Sequence, residues 1–374
     1  MNDYRNEFIN LDEKIFLAAC SHSPLSKNVL FSLERYKYDL LEYGNPWDLW
    51  VEKVNIAKSL FANLINANVS EICPHFSVSS ALTALLSSID YEKRNEIVVS
   101  DMEYPTTNFI FLAQQKYGAR VKTIENENYK IPINKYLSKI NKNTILVSAI
   151  HVSSLNGFRQ DIHQIGEIAH SAGAYLYVDA YQSLGTINVD VKKENIDFLT
   201  SGTLKWLLGL PGLAFLYVKN DLIDDLKPTN IGWFSQKNPF LFGARKLEYA
   251  EGADRFQSGT WSIPSVYAAI EGMKIILKVG VENIERKIGE LTKYALEVAN
   301  DLGLESITPK NANERGAIVS FLVKSPHKVE TILRKENIIT SARDRGIRIA
   351  PHFYNTKEEI EKAVTRISEL KEYE

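Results

Sequence analysis

Short apolar runs alternate with segments of helical period along the middle of the chain. Two helical segments, TTNFIFLAQQKYG and DIHQIGEIAHSAG, each end at a glycine, Gly118 or Gly173. The runs between and around them have the composition of buried strands: EIVVSDM, ARVKTIEN, NTILVSAI, AYLYVDA, DFLTSG and LAFLYV. This alternation predicts an α/β fold with a mostly parallel central sheet that helices cover on both faces.

The pattern changes after about Ser262, where a long amphipathic stretch precedes the strand-like runs AIVSFLV and GIRIAPHF. A closing helix is predicted to begin at Thr356, because its spacing to Glu359 is that of a capping box. We therefore expect a smaller C-terminal α+β domain packed on the first. The predicted divisions are an N-terminal segment, 1–79, that spans both domains, a large domain, 80–262, and a small domain, 263–374.

Composition and charge exclude several classes of function. The 374 residues contain 44 Lys and Arg against 46 Asp and Glu, so the net charge of −2 predicts no nucleic-acid partner. No apolar run reaches the roughly 18–20 residues that a membrane span needs, and the charged start MNDYRNEFIN does not resemble a signal peptide. The two cysteines, Cys20 and Cys73, are too few for a disulfide framework, which predicts a reducing, cytoplasmic setting. His163 and His170 are expected on a solvated helix face, with no metal site.

Two charged residues, Asp179 and Lys205, stand in segments that are otherwise apolar. An unpaired buried charge is costly, so each side chain needs a partner. Both follow predicted strands, at the edge where open α/β sheets hold ligands. Spacing alone leaves two alternatives open, a salt bridge between the two residues or separate contacts of each with a ligand.

A third feature, the segment HFSVSSALTALL, places Val78, Ser79 and Ser80 at the start of a predicted helix. Such a start is either an anion site or an ordinary serine cap. No P-loop or dinucleotide-binding motif is present in the sequence. An anion site, an acid and a lysine together suit pyridoxal 5'-phosphate (PLP). A lysine forms a Schiff base with its aldehyde, and an acid keeps its pyridine nitrogen protonated.

Four motifs in order carry a resemblance to a known family: VDAYQSLG, DFLTSGTLKWLLGLPGLAFLYV, RFQSGTWSIPSVYAAIEG and GIRIAPHFYNTKEEI. From about Asn45 to the C-terminus the chain resembles the class V aminotransferases, which are fold-type I PLP-dependent enzymes. Relatives of this family include cysteine desulfurases, isopenicillin N epimerases and kynureninases. The cofactor contacts that the resemblance implies are Val78, Ser79, Ser80, Tyr104, Ser154, Asp179, Gln182, Ser201, Thr203, Lys205 and Thr260.

The resemblance also implies individual roles. Lys205 is the Schiff-base lysine, Asp179 contacts the pyridine nitrogen, and Gln182 contacts the ring oxygen. Tyr104 in MEYPTTNF stacks on the ring, with a core aromatic as the alternative. Val78 and Ser79 meet the phosphate together with Ser201 or Thr203. Thr260 reaches the phosphate of a neighbouring subunit, which implies a homodimer. Arg348 holds the substrate carboxylate, although an isolated arginine in such a strand is more often a surface residue.

Two departures from the family pattern bear on the reaction. Leu204 stands where many relatives have a histidine, and no cysteine follows Cys73, which disfavours cysteine desulfurase chemistry. The leading expectation is an aminotransferase acting on an α-amino acid. The alternatives are a PLP-dependent lyase or epimerase and, more distantly, a PLP-binding protein without turnover. Trp233 and Phe234 line either the substrate entrance, which would favour an apolar substrate, or a packed loop.

Overall fold

Twelve strands and eleven α-helices form the regular structure of residues 2–373, the part of the chain that our computed structural model describes. The strands are β1 (Ile15–Phe16), β2 (Ile72–His75), β3 (Glu96–Ser100), β4 (Arg120–Ile124), β5 (Thr144–Ile150), β6 (Tyr175–Asp179), β7 (Phe198–Gly202), β8 (Ala214–Val218), β9 (Val319–Leu322), β10 (Ile338–Ile339), β11 (Ser341–Arg343) and β12 (Gly346–Ile349). The helices are α1 (Lys27–Tyr43), α2 (Trp47–Leu64), α3 (Val78–Leu86), α4 (Pro105–Ala113), α5 (Ile133–Lys139), α6 (Ile162–Ser171), α7 (Asn220–Ile223), α8 (Ile263–Val279), α9 (Val281–Asp301), α10 (Pro326–Lys335) and α11 (Lys357–Glu369). Short 3₁₀ helices occur at Asn2–Glu7, Val69–Glu71, Gln114–Tyr117, Trp233–Ser235, Pro239–Leu241, Gly252–Phe256 and Ala312–Glu314.

The central sheet has seven strands in the order β2-β8-β7-β6-β5-β3-β4. Strands β4, β3, β5, β6 and β7 run parallel to one another, and β8 is antiparallel to both of its neighbours. Every residue of β3, β7 and β8 is buried, as expected when helices cover both faces. The predicted α/β fold with a mostly parallel sheet is confirmed.

Residues before Ser80 contribute to two sheets. β1 pairs in parallel with β10 of the C-terminal part, whereas β2 is an edge strand of the central sheet. The sequence showed no sheet pattern in this segment, because β2 has only four residues, ICPH, and is too short to display a period. Its Pro74 is tolerated because an edge strand leaves one side of its backbone unpaired.

The C-terminal part contains the three-stranded antiparallel sheet β11-β12-β9 with α9, α10 and α11. Its hydrophobic cluster comprises Leu17 and buried residues from Leu291 to Leu370. The helix α8 instead packs on α1 and α2 and belongs to the core of the central sheet. The separate core thus begins within α9, later than the boundary at 262/263 that the sequence pattern suggested.

Helix ends follow local sequence rules in the C-terminal part. The long amphipathic stretch is divided into α8 and α9 at Gly280, which has a φ of +85°. The predicted start of α11 is confirmed, since Thr356 Oγ1 accepts from Glu359 N at 3.3 Å and the Glu359 carboxylate accepts from Thr356 N at 3.1 Å. None of the helices within residues 2–373 has both the length and the apolar character needed to cross a membrane.

Gly157 connects the loop after β5 to the C-terminal part. Its φ is +77°, and a Cβ at this position would lie 2.2 Å from the backbone oxygen of Ile318. Its carbonyl oxygen accepts from Gly316 N at 2.8 Å. We predict that Gly157→Ala lowers the free energy of unfolding by about 2–4 kcal/mol, since a left-handed residue costs ~1–2 kcal/mol and the backbone must also shift.

The control for this prediction is Gly118→Ala. Gly118 has a φ of +99°, but a Cβ there would meet open space. Urea unfolding of the two variants should show a loss of only about 1–2 kcal/mol for Gly118→Ala. Equal losses in the two variants would contradict the role of the Ile318 contact.

Candidate active site

The carboxyl ends of neighbouring parallel strands meet at one edge of the central sheet. Ile150 at the end of β5 is the register partner of Asp179 at the end of β6, and Asp179 is the partner of Thr200 in β7. A cavity of about 370 Å³ opens at this edge, beside the starts of α3 and α4. Lys205, three residues beyond β7, lines the same cavity.

The amine of Lys205 forms no hydrogen bond or ion pair with any other described residue. Its Nζ lies 4.1 Å from the ring centroid of Tyr181 and 5.7 Å from that of Tyr104. Burial lowers the pKa of Lys205 to about 8. Roughly one-tenth of this amine is therefore neutral, and nucleophilic, at pH 7, far more than for an ordinary lysine.

Asp179 is buried, with 4% of its surface exposed. Its Oδ1 accepts from the backbone N of Tyr181 at 2.9 Å, and its Oδ2 accepts from Thr107 Oγ1 at 3.5 Å, a weak contact. Burial raises the pKa of Asp179, while the Tyr181 N–H and the charge of Lys205 oppose this shift. Asp179 and Lys205 form no salt bridge within the described structure, so the first of the two alternatives left open by the sequence is not observed.

Tyr181 lies between the acid and the amine. Its backbone N–H binds Asp179, and its ring faces the Lys205 amine. A Cβ on Gly202 would lie 2.5 Å from Cζ of Tyr181, so only glycine at the end of β7 leaves space for this ring. Burial raises the pKa of Tyr181 to about 12, which keeps its phenol neutral.

The start of α3 forms one wall of the cavity through Val78 and Ser79. The backbone N–H groups of these two residues have no acceptor in the described structure, as at any helix start without further caps. Ser80 does not line the cavity, because its hydroxyl belongs to a capping box. Its Oγ accepts from Ser77 N at 3.2 Å and donates to Ser77 O at 2.9 Å. An anion at this helix start would meet the N–H groups of Val78 and Ser79.

Tyr104, Ser154 and Gln182 also line the cavity. Tyr104 precedes α4 and is 37% exposed, so it is not a core aromatic. The amide of Gln182 already has protein partners. Its Nε2 donates to Cys20 O at 3.0 Å, and its Oε1 accepts from Trp206 Nε1 at 2.9 Å.

Besides Ser80, three of the sequence-predicted cofactor contacts lie outside the cavity wall. Ser201 Oγ donates to Ala180 O at 3.4 Å, and Thr203 Oγ1 lies 3.2 Å from the carbonyl oxygens of Leu210 and Leu213. Both hydroxyls thus bind backbone carbonyls near β7 instead of lining the cavity. Thr260 is exposed at the surface of this chain.

Arg348 is 1% exposed and is therefore not the surface residue that its isolated context suggested. Its Nε and Nη2 donate to Ser341 O at 3.3 Å and to Ser341 Oγ at 2.6 Å. Its Nη1 donates to the backbone oxygen of Ser154 at 2.5 Å. Arg348 thus lies behind the cavity wall and contacts it through Ser154.

The sequence analysis missed several residues at this site. Arg343 and Cys20 line the cavity, and Glu103 is buried close to Asp179. Glu103 directly follows the apolar run EIVVSDM, as Asp179 follows AYLYV, so the criterion that identified Asp179 applies to Glu103 as well. No sequence signal marks Arg343, because only the folded hairpin brings it to the cavity.

Trp233 and Phe234 do not line the cavity of this chain. Trp233 lies 5.4 Å from Trp47, and Phe234 stacks on Trp261 at 3.9 Å, both measured between ring centroids. The two residues belong to a packed aromatic cluster, which is the second of the two alternatives left open by the sequence. The interpretation as a substrate entrance is not supported, nor is the apolar substrate that it favoured.

A larger cavity of about 700 Å³ lies along α6. Its cations are already paired, since Lys130 contacts Glu314 at 2.6 Å and Arg159 contacts Glu285 at 3.0 Å. Within residues 2–373 no group of three or more His, Cys, Asp or Glu side chains is arranged to hold a metal ion. The free amine and the partly satisfied carboxylate identify the smaller cavity as the candidate active site.

Comparison with known proteins relates this chain to one family. The family model described as Aminotransferase class-V matches residues 48–373. An uncharacterized aminotransferase of Bacillus subtilis, YcbU, is 36% identical over 98% of this chain and 96% of its own length. The apo structure of a cysteine desulfurase from Thermococcus onnurineus superposes with a TM-score of 0.88 and 25% identity, covering 99% of this chain and 97% of that chain. A C-DES mutant with glycine linked to its PLP cofactor gives a TM-score of 0.90 at 20% identity, covering 98% and 99%.

Glu103 is a buried carboxyl group near Asp179, and its protonation state can be tested. Its Oε1 accepts from Ile150 N at 2.9 Å, whereas its buried Oε2 has no partner among the described residues. Burial, assisted by the charge of Asp179, raises its pKa from 4.5 to about 8. Because the folded state then holds a proton that the unfolded state releases, this residue makes stability fall as the pH rises from about 4.5 to about 8.

We predict that Glu103→Gln removes this pH dependence, since an amide is neutral at every pH. The unfolding free energy of the wild type should fall relative to that of the variant between pH 4.5 and 8, and the difference should be constant above about pH 8.5. Urea unfolding at a series of pH values measures the difference. Parallel curves across this window would show that Glu103 is ionised in the folded protein.

Proposed function

Since the chain belongs to the aminotransferase class-V family, whose members are PLP-dependent enzymes, we propose that it transfers the amino group of an α-amino acid to an oxo acid. One observation carries this proposal: the free Lys205 amine lies in a cavity with a buried carboxylate, Asp179, and with the open start of α3. The reaction converts the donor amino acid to its oxo acid and the acceptor oxo acid to its amino acid.

The residues around the cavity fit PLP. The Lys205 amine is free to react with an aldehyde, and Asp179 Oδ2 has only a weak partner in Thr107. The N–H groups of Val78 and Ser79 suit a phosphate, and the exposed ring of Tyr104 suits stacking on a pyridine. When bound, PLP supplies an electron sink that stabilises negative charge at the substrate α-carbon.

Lys205 and Asp179 take separate roles in this proposal. With its pKa lowered to about 8, the Lys205 amine is able both to accept a proton from the substrate α-carbon and to return it. Asp179 would hold a proton at the pyridine nitrogen of PLP through Oδ2, the oxygen that does not accept from Tyr181 N. The apolar side chains of Leu82, Ile110 and Ile150 limit access of water to the cavity.

Arg348 remains our proposed contact for the substrate α-carboxylate. Its contacts with Ser341 and Ser154 orient the guanidinium, and a guanidinium has five N–H donors, so two remain after these three bonds. Gln182 and Ser154 are proposed to lie beside the cofactor ring. The hydroxyls of Ser201 and Thr203 support the proposed phosphate wall only indirectly, through the backbone that they brace.

A homodimer in the cytoplasm is part of the proposal. The helix α1 exposes large apolar side chains to solvent in the single chain, including Phe31 at 72% and Leu41 at 86%. Large apolar side chains exposed in this way favour association. Thr260 is exposed and therefore free to contact a second subunit. The two buried free thiols, Cys20 and Cys73, are compatible with a reducing compartment.

The proposed reaction is tested with single amino acids and protein loaded with PLP. We expect a suitable donor to yield its oxo acid and pyridoxamine phosphate without any acceptor, and an oxo acid to restore PLP. Borohydride reduction of the resting protein should attach the pyridoxyl group to Lys205, as read by peptide mapping. Lys205→Ala should abolish both results.

Other products would overturn the aminotransferase assignment. Release of ammonia with a shortened product indicates a lyase, and inversion of the α-carbon without amino transfer indicates an epimerase. Alanine formed from cysteine, with loss of the sulfur transfer in Cys20→Ser, would indicate a desulfurase that uses the cavity cysteine. An adduct on a lysine other than Lys205 would overturn the site itself.

Asp179→Asn tests the proposed role of the acid. The amide oxygen still accepts from Tyr181 N, so PLP should remain bound, but an amide nitrogen cannot hold the pyridine proton. We expect kcat to fall by about a hundredfold or more, since such electrostatic contacts contribute ~2.7–4 kcal/mol in enzymes. Steady-state kinetics and the absorbance spectrum of the bound cofactor measure the two effects.

The matched control is Asp197→Asn. Asp197 is also 4% exposed, but its Oδ2 binds Leu176 N at 2.8 Å and His170 Nε2 at 2.7 Å, away from the cavity. This variant should lose stability rather than kcat. A similar loss of kcat in both variants would mean that Asp179 acts only as a buried structural carboxylate.

A further inference from the structure

Arg343 is a free cation on the wall of the candidate active site. It ends β11, is exposed and lines the cavity that contains Lys205. No other described residue forms a hydrogen bond or ion pair with its side chain, and its Cζ lies 5.9 Å from the ring centroid of Tyr104. The guanidinium therefore projects at the cavity mouth without a protein anion to neutralise it.

The charges around the cavity do not balance. Asp179 is the single acidic residue among the described residues that line it, against Lys205 and Arg343 on its wall and Arg348 behind it. Burial lowers the pKa of Lys205, and the charges of Arg348 and Arg343 act in the same direction. The proposed phosphate lies at the start of α3 with Val78 and Ser79, and one substrate α-carboxylate neutralises one guanidinium, so the second guanidinium is left for another anionic group.

The hairpin geometry places the two arginines on one face. Ser341 and Arg343 are two residues apart on β11, so their side chains point to the same side. Arg348 on β12 is the register partner of Ser341, and directly opposed residues share a face. Arg343 and Arg348 are thus diagonal neighbours, with backbones roughly 7–8 Å apart. This separation suits two acidic groups on one small molecule.

We propose that Arg343 binds a second anionic group, on the side chain of the substrate, so that the preferred amino acids are acidic ones. The planar guanidinium matches a carboxylate with two parallel hydrogen bonds, which a neutral amide side chain cannot replace in charge. This inference rests on the proposed function, and it adds a specificity-determining residue and a substrate class to it.

The test compares acidic amino acids with their amides in the PLP-loaded protein. Single-turnover rates are measured for aspartate against asparagine and for glutamate against glutamine. We expect kcat/KM for the acid to exceed that for its amide by about 10–100-fold, the value of one charge-assisted hydrogen bond. In Arg343→Gln this preference should disappear, with the amide rates changed by less than about threefold.

Two further measurements separate this role from a structural one. Succinate should bind the PLP-loaded wild type at least tenfold more tightly than butanoate, and Arg343→Gln should remove that difference. The matched control is Arg345→Gln, because Arg345 is exposed in the same hairpin turn but does not line the cavity. This control should retain the preference for acids and for succinate.

Several outcomes would overturn the inference while leaving the proposed function intact. Amides used as well as acids by the wild type would show that no second anionic group is recognised. An equal loss for acids and amides in Arg343→Gln would place the α-carboxylate on Arg343, and a loss of PLP affinity would place the phosphate there. In contrast, absence of reaction with every amino acid, together with no adduct on Lys205, would overturn the proposed function as well.

Discussion

The separation of two buried charges by Tyr181 is the interaction on which the active site depends. A carboxylate and an amine in one buried cavity attract each other strongly, because the protein interior has low polarity. Here Tyr181 gives its N–H to Asp179 and its ring face to Lys205. Gly202 provides the space for that ring. The two charges are thereby held apart at a sheet edge and remain available to a ligand that satisfies both.

The N-terminal segment also holds the loop that contains Lys205. Ser23 N donates to Leu204 O at 3.3 Å, and Ser23 Oγ donates to the backbone oxygen of Lys205. Gln182 holds Cys20 O, so the same segment is bound to the turn after β6. The acceptors in these contacts are all backbone oxygens, so the contacts set the position of Lys205 without occupying its side chain. They also leave the Cys20 thiol on the cavity wall.

The family to which the chain belongs contains proteins of different chemistry on one scaffold. In our proposal Lys205 and Asp179 serve the cofactor whatever the substrate, so the choice of reaction depends on the remaining wall of the cavity. In this chain that wall has a leucine at position 204, a cysteine at position 20 and an unpaired arginine at position 343. Arg343 is exposed and Arg348 is buried, so only one of the two guanidinium groups is free to adapt to a substrate side chain.

The sequence by itself determined the α/β fold, the family and the dependence on PLP. Buried parallel strands are continuous apolar runs, so an acid directly after AYLYV and a lysine directly after DFLTSGTL are visible as exceptions without any knowledge of contacts. Local rules also determined the start of α11, because a capping box involves only residues three apart. Strand β2 was not predicted from the sequence, since its four residues are too few to show a periodic pattern.

Tertiary structure alone decided which of these residues share a cavity. The hydroxyls of Ser201 and Thr203 bind backbone carbonyls, and the hydroxyl of Ser80 takes part in the cap of its own helix. In each case the fold provides an acceptor close to the hydroxyl. Trp233 and Phe234 joined an aromatic cluster with residues distant in sequence. Arg343 reached the site through the pairing of β11 with β12. Such long-range placement depends on packing between elements, which no local pattern in the chain encodes.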